Sequence, residues 1–220
     1  MHGIAAGESI VIPVAEGRIA ADLRVPARAG GLIIFAHGSG SSRFSSRNRA
    51  VAESLEAIGF GTLLLDLLTP EEEAVDVHTR EYRFDIDRLG RRMVLATDWA
   101  RSREDLRRLP IGSFGASTGA AAALIGAAER PAETRAVVSR GGRPDLAGRV
   151  LPKVKAPTLL IVGGDDMPVI DMNREAMRQM SAPVELEIIP GATHLFEEPG
   201  TLEQVMSLAA TWFRRHLQAR

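Results

Sequence analysis

The 220-residue chain has no cysteine. That excludes disulfides, a cysteine nucleophile and Cys-ligated metal sites, and is compatible with the cytoplasm. There is no charge excess: 27 basic against 28 acidic side chains leave a formal net charge of −1, so the total implies no nucleic-acid partner. The local basic pairs Arg91-Arg92, Arg107-Arg108 and Arg214-Arg215 read as solvated charge on helices or their ends. No apolar run reaches the length of a membrane span. The start, Met1 to Glu8, lacks the basic lead and apolar core of a signal peptide. A cytoplasmic protein without a membrane partner is therefore expected. Internal repeats, low-complexity stretches and long linkers are also lacking, so residues 1–220 are expected to form one domain. No G-x-G-x-x-G follows the first strands and no G-x-x-x-x-G-K-[ST] occurs, which argues against a nucleotide binder. Nothing calls for a metal or cofactor.

What is present is an ordinary globular balance, 45% apolar and 25% charged, arranged as alternating strands and helices. Residues 9–14 and 18–26 read as two strands joined by a short turn, a hairpin. Leu32 to Ala36 and Thr62 to Leu68 are continuous apolar runs, the mark of strands covered on both faces. Between them, Val51, Leu55 and Ile58 recur at helical spacing, with Gly59 as the stop. Thr69-Pro70-Glu71-Glu72-Glu73 has the cap, proline and acids of a helix start. Residues 74–83 are polar and carry no clear period. A helix is expected from Asp85 to about Ser102, weakened at Gly90 by about 1 kcal/mol relative to alanine. Strands at 135–139, 156–162 and 184–189 follow, with helices at about 170–180 and 202–217. Met172, Ala176, Met177 and Met180 are expected to form the packed face of the first of these helices. The pattern predicts a mostly parallel, doubly wound α/β sheet with an N-terminal antiparallel hairpin.

The most informative stretch is Gly115-Ala116-Ser117-Thr118-Gly119. It lies between an apolar run ending at Phe114 and the alanine-rich run from Ala120. Strand, G-x-S-x-G, helix is the order a nucleophile elbow needs: the serine sits on a sharp, strained turn and the glycines permit close approach. The alternative is a glycine-rich helix start with an incidental serine. Three other polar loops also follow strands: His37 to Arg43, Gly163 to Asp166 and Gly191 to His194. In a parallel sheet such loops meet at one edge, where ligands bind.

A serine hydroxyl needs a base, and the base an orienting acid. Of five histidines, His194 is the best base. His2 is terminal, His216 is on the last helix, His78 is in the polar stretch, and His37 opens a loop with another use. The acid is Asp165 or Asp166. Neighbours in an extended segment point opposite ways, so one of them faces His194 and the other caps the following helix. Acyl transfer also needs oxyanion donors, expected from the backbone N–H groups of Thr118 and of Ser39 or its neighbour. Arg43 is a candidate for holding an anionic substrate, against a surface or structural role.

With these residues assembled, the chain resembles the α/β-hydrolase superfamily, and more closely its dienelactone-hydrolase-like branch. The resemblance rests on His37 to Arg43, Gly115 to Gly119, Gly163-Gly164-Asp165-Asp166 and Gly191 to His194. It implies the α/β-hydrolase fold, and its Gly-x-x-Asp form implies Asp166 as the acid beside Ser117 and His194. Dienelactone hydrolases proper use cysteine; the serine here points to a serine esterase cleaving small carboxylic esters through an acyl-enzyme. A thioesterase, an acyltransferase and a non-catalytic binding protein are the alternatives. Residues 65–73 also resemble hydrolase domains fused to phosphoribosyltransferases. Family lids insert after the strand that follows the elbow helix, and Arg140 to Lys155 is too short for one, so no cap domain is expected. A homodimer is left open.

Overall fold

The structure is a computed structural model describing residues 7–217. The start read for a signal peptide lies, up to residue 6, outside the described residues, as does His2.

Eight strands form one sheet in the order β1-β2-β4-β3-β5-β6-β7-β8. β1 (Glu8–Val14) and β2 (Gly17–Arg24) form the expected antiparallel hairpin, with Val14 opposite Gly17. β2 also pairs antiparallel with β4 (Gly61–Leu65). All other pairings are parallel, through β3 (Leu32–Ala36), β5 (Ile111–Ala116), β6 (Thr134–Arg140), β7 (Thr158–Gly163) and β8 (Val184–Ile189). β3, β4, β5 and β7 are buried along their whole length, because helices cover both faces. That is why they are written as unbroken apolar runs. β8, at the edge, alternates over most of its length.

On one face, α1 (Ser46–Ala57) and α6 (Thr201–Leu217) close a core around Phe35, Phe60, Phe114 and Phe213. On the other lie α3 (Ile86–Ser102), α4 (Thr118–Glu129) and α5 (Met167–Gln179). Gly90 is there for contact. A Cβ on it would come 2.4 Å from Ile125 Cγ2, and one on Gly126 would come 2.8 Å from Met93 Cβ. Bare backbone at these two positions lets α3 and α4 pack closely. The glycine that weakens α3 as an isolated helix thus serves its packing.

The polar stretch 74–83 resolves into α2 (Pro70–Thr79) and a loop. α2 carries a full capping box between Thr69 and Glu72, and ends at Arg80 in the left-handed conformation, φ 59°. Asp76, 1% exposed, then accepts hydrogen bonds from the backbone N–H groups of Tyr82 and Arg83 and from Arg83 Nε. One buried carboxylate organises a segment without periodicity.

α5 begins at Met167, three residues earlier than expected, and its buried face is Val169, Ile170, Asn173 and Ala176. Met180 is buried just past its end, while Met172 and Met177 sit at the margin. Between β6 and β7, a short 3₁₀ segment, Pro144–Lys153, kinks at Gly148. Among the described residues there is no cap domain. Among the described residues no helix is long and apolar enough to cross a membrane.

Candidate active site

β3, β5, β6, β7 and β8 run parallel, so their carboxyl ends share one edge of the sheet. The four polar loops meet there and touch closely. A Cβ on Gly119 would lie 2.4 Å from the carbonyl oxygens of Ala36 and His37. One on Gly163 would lie 2.4 Å from Ala192 O and 2.6 Å from Thr193 O. Only glycine permits these contacts, which pull the loop after β3 onto α4 and the loop after β8 onto β7.

Ser117 stands between β5 and α4 at φ 50°, ψ −122°, a region costly for a residue with a side chain. Backbone bonds hold it: Ser117 N–H donates to Arg140 O at 3.2 Å, and Arg143 N–H donates to Ser117 O at 3.0 Å. Gly115 lets β5 meet the helix, since a Cβ there would be 2.4 Å from Ala120 Cα. Thr118 is the first residue of α4. Its N–H has no intrahelical acceptor, and the helix directs positive potential toward the serine. No acid in the first turn of α4 offsets that potential.

His194 Nδ1 and Asp166 Oδ2 are 2.7 Å apart. The carboxylate accepts from Nδ1–H, which leaves the Nε2 lone pair free. Asp166 occupies the N-cap position of α5 but makes no side-chain cap bond; its carboxylate is turned to the histidine instead. Asp165 is exposed, and its N–H donates to Ala192 O at 3.0 Å, so that residue acts through its backbone. Among the described residues, Ser117 Oγ and His194 form no hydrogen bond with each other.

Ser39 is exposed in the turn that follows β3, where Ser41 N–H donates to Gly38 O at 3.2 Å. A Cβ on Gly38 would lie 3.1 Å from Ser117 Cβ, so this loop passes directly over the serine. Arg43 is engaged elsewhere. Its N–H and guanidinium bind Asp66, and Nε reaches Asp22 at 3.4 Å. These bonds tie the loop to Asp66, at the end of β4, and to β2.

Three supporting residues were missed in the sequence. His37 is buried; its Nδ1–H donates to Gly38 O at 2.8 Å while Nε2 accepts from Leu67 N–H at 3.1 Å. Burial holds its pKa below the usual histidine value. Glu198 accepts from Thr193 N–H and Thr193 Oγ1 and clamps the His194 loop. Asn173, fully buried, donates to Gly142 O at 2.9 Å and binds α5 to the loop after β6. The acidic residue four positions past a loop histidine was a usable signal for the second; nothing local marks the other two. Among the described residues no group of three or more His, Asp or Glu side chains is placed to hold a metal ion.

Comparison with known proteins extends this picture. A solved dienelactone hydrolase from Anabaena variabilis is 55% identical, with a TM-score of 0.94, covering 96% of this chain and 98% of that one. Est1E from Butyrivibrio proteoclasticus has a TM-score of 0.78 at 18% identity, covering 94% and 98%, a likeness of fold. A Mycobacterium tuberculosis (strain H37Rv) protein, provisionally named a phosphoribosyl transferase, is 53% identical over 96% of this chain but 46% of its own length. The chain thus spans about half of that relative. Residues 18–218 match the dienelactone hydrolase family over nearly the whole sheet and all four loops, and the chain, an α/β-hydrolase in fold, belongs to that family.

Proposed function

We propose that this hydrolase is a serine esterase acting on small carboxylic esters through an acyl-enzyme, with Ser117 as nucleophile, His194 as base and Asp166 as its orienting acid. The observation that carries the reading is the 2.7 Å His194–Asp166 pair on the same sheet edge as the strained Ser117. Ser117 Oγ attacks the ester carbonyl carbon and passes its proton to His194 Nε2. The tetrahedral oxyanion is held by the N–H groups of Thr118 and Ser39. Collapse expels the alcohol, which takes the proton from His194. Water, activated by the same histidine, then hydrolyses the acyl-serine. Hydrogen bonds between nucleophile and base often tighten only around bound substrate, so a loose pair in the free protein is compatible with this scheme.

The substrate side is open. Met167 and Leu195, next to the acid and the base, are 58% and 43% exposed and offer an apolar rim. The transferase name belongs to relatives about twice this length, whereas the Anabaena hydrolase matches end to end. The proposal is therefore confined to ester chemistry.

The test is direct. Purified Ser117→Ala should fold, lose labelling by a fluorophosphonate probe and lose turnover of p-nitrophenyl acetate by at least about 10³-fold. Turnover near that of the wild type would overturn the reading.

A further inference from the structure

Four charged residues are buried among the described residues: Glu72, Asp76, Arg92 and Arg140. Three have a partner of opposite charge. Glu72 binds Arg88 and Arg92, Arg92 also reaches Glu16, and Asp76 binds Arg83. Arg140 has none. It ends β6 at 6% exposure. Of its five N–H donors, one is used, Nη2 to Asn48 Oδ1 at 3.3 Å. Nε is sealed from solvent and meets no acceptor. The guanidinium lies 5.9 Å from the Phe196 ring. Among the described residues, the charge that bears on it is that of Arg47, whose guanidinium pairs with Glu197. Burial first, then Arg47, lowers its pKa to about 10, so it remains a cation at neutral pH.

A buried cation without a counter-charge is unfavourable unless something supplies one. The end of α1 adds positive potential. Asn48 and Arg47 belong to the first turn of α1, which Ser45 caps and which contains no acid. A helix N-terminus with no acid of its own favours an anion.

We propose that Arg140, Asn48 and the first turn of α1 form a subsite for a small oxyanion, a carboxylate or phosphate group, at the strand end next to Ser117. The adjacency is structural. Arg140 pairs with Ala116 across the sheet, and its carbonyl receives the Ser117 N–H. A Cβ on Gly141, the next residue, would lie 3.3 Å from the Phe196 ring and 3.6 Å from His194 Nδ1. The anion is either an acidic arm of the ester or a free ion; the first source rests on the esterase reading, and the second does not.

Thermal melting tests the site without turnover. Inorganic phosphate, and separately acetate, should raise the midpoint of wild type and of Ser117→Ala by at least about 2 °C over sodium chloride at matched ionic strength. Arg140→Gln should lose that increment, and Arg140→Lys should keep part of it. Equal midpoints in phosphate, acetate and chloride for the wild type would overturn the proposal, as would an increment unchanged in Arg140→Gln. Should Arg140→Gln not fold, phosphate titrated calorimetrically into wild type and Arg140→Lys decides: saturable binding, several-fold weaker with lysine, supports the site, and no binding overturns it. Kinetics with neutral p-nitrophenyl acetate separates the sources. A several-fold rise in KM with kcat unchanged places the anion on the substrate's path. A change in kcat with KM unchanged assigns a free ion acting through the His194 loop. Turnover absent in the wild type would remove the esterase reading and leave the melting result standing.

Discussion

Two adjacent aspartates divide the work at the start of α5. Asp166 forgoes capping and meets His194, while Asp165 faces outward and acts through its N–H. Asp166→Asn keeps the size but spoils the tautomer and orientation of the imidazole. It should cut kcat for p-nitrophenyl acetate by orders of magnitude, about 10³–10⁴-fold. Asp165→Asn should leave kcat within about twofold. Steady-state kinetics on the two purified variants checks the ranking, and the reverse order would move the acid to Asp165. His37 gives a pH signature of a different kind. Its pKa is depressed in the folded state, first by burial. Below the free-histidine value, about 6.5, the unfolded chain takes up a proton that the folded one refuses. The stabilisation is therefore full above that value and is lost as pH falls from it toward the folded pKa. His216, also depressed first by burial, adds to the same slope. Melting midpoints between pH 5 and 8 should fall on the acid side, and less steeply in His37→Gln. Equal slopes would show that His37 does not contribute.

The α3–α4 pair shows how tertiary contact reverses a local preference. In an isolated helix, alanine at position 90 would gain about 1 kcal/mol over glycine. Here its Cβ would sit 2.4 Å from Ile125 Cγ2 and 2.7 Å from Ile125 Cβ, with no flexible side-chain end to yield. Overpacking of that kind costs about 1–3 kcal/mol, so the net sign should be destabilising. Urea unfolding of Gly90→Ala should give a lower midpoint than wild type. A higher one would mean that α3 moves away from α4 without loss. The elbow follows the same logic more severely, because Gly115 and Gly119 face backbone atoms, which cannot rotate aside.

The eight-stranded sheet brings its four polar loops to one edge. The connection between β6 and β7 is a short 3₁₀ segment rather than a cap. An open rim made of Met167 and Leu195 offers limited apolar surface to a long acyl chain. Burial contributes about 0.8 kcal/mol per methylene only while methylenes stay in contact. Along a p-nitrophenyl series, kcat/KM should rise over about the first few carbons and then level off, with no increase at an emulsion interface. A rate still climbing at long-chain esters would overturn the reading of a short, open rim.

Much of this was legible in the linear chain, for reasons that are local. Buried parallel strands announce themselves because both faces need apolar side chains. The capping box at Thr69 is complete within four residues, and the elbow requires glycine two places either side of its serine. Ser117, His194 and the aspartate pair could be named as candidates because strand ends collect on one edge. Other features depend on partners distant in the chain. His37 is a structural histidine because Leu67 offers it an N–H thirty residues away. Arg43 is an ion-pair residue because Asp66 and Asp22 face it. Gly90 is required because Ile125 lies across the gap. Asp166 is distinguished from Asp165 by a 2.7 Å contact with a loop 28 residues on, and Arg140 by the absence of any acid among the described residues packed around it. Backbone geometry and burial follow short-range patterns of sequence; pairing, charge compensation and close approach are set by which surfaces the folded sheet brings together.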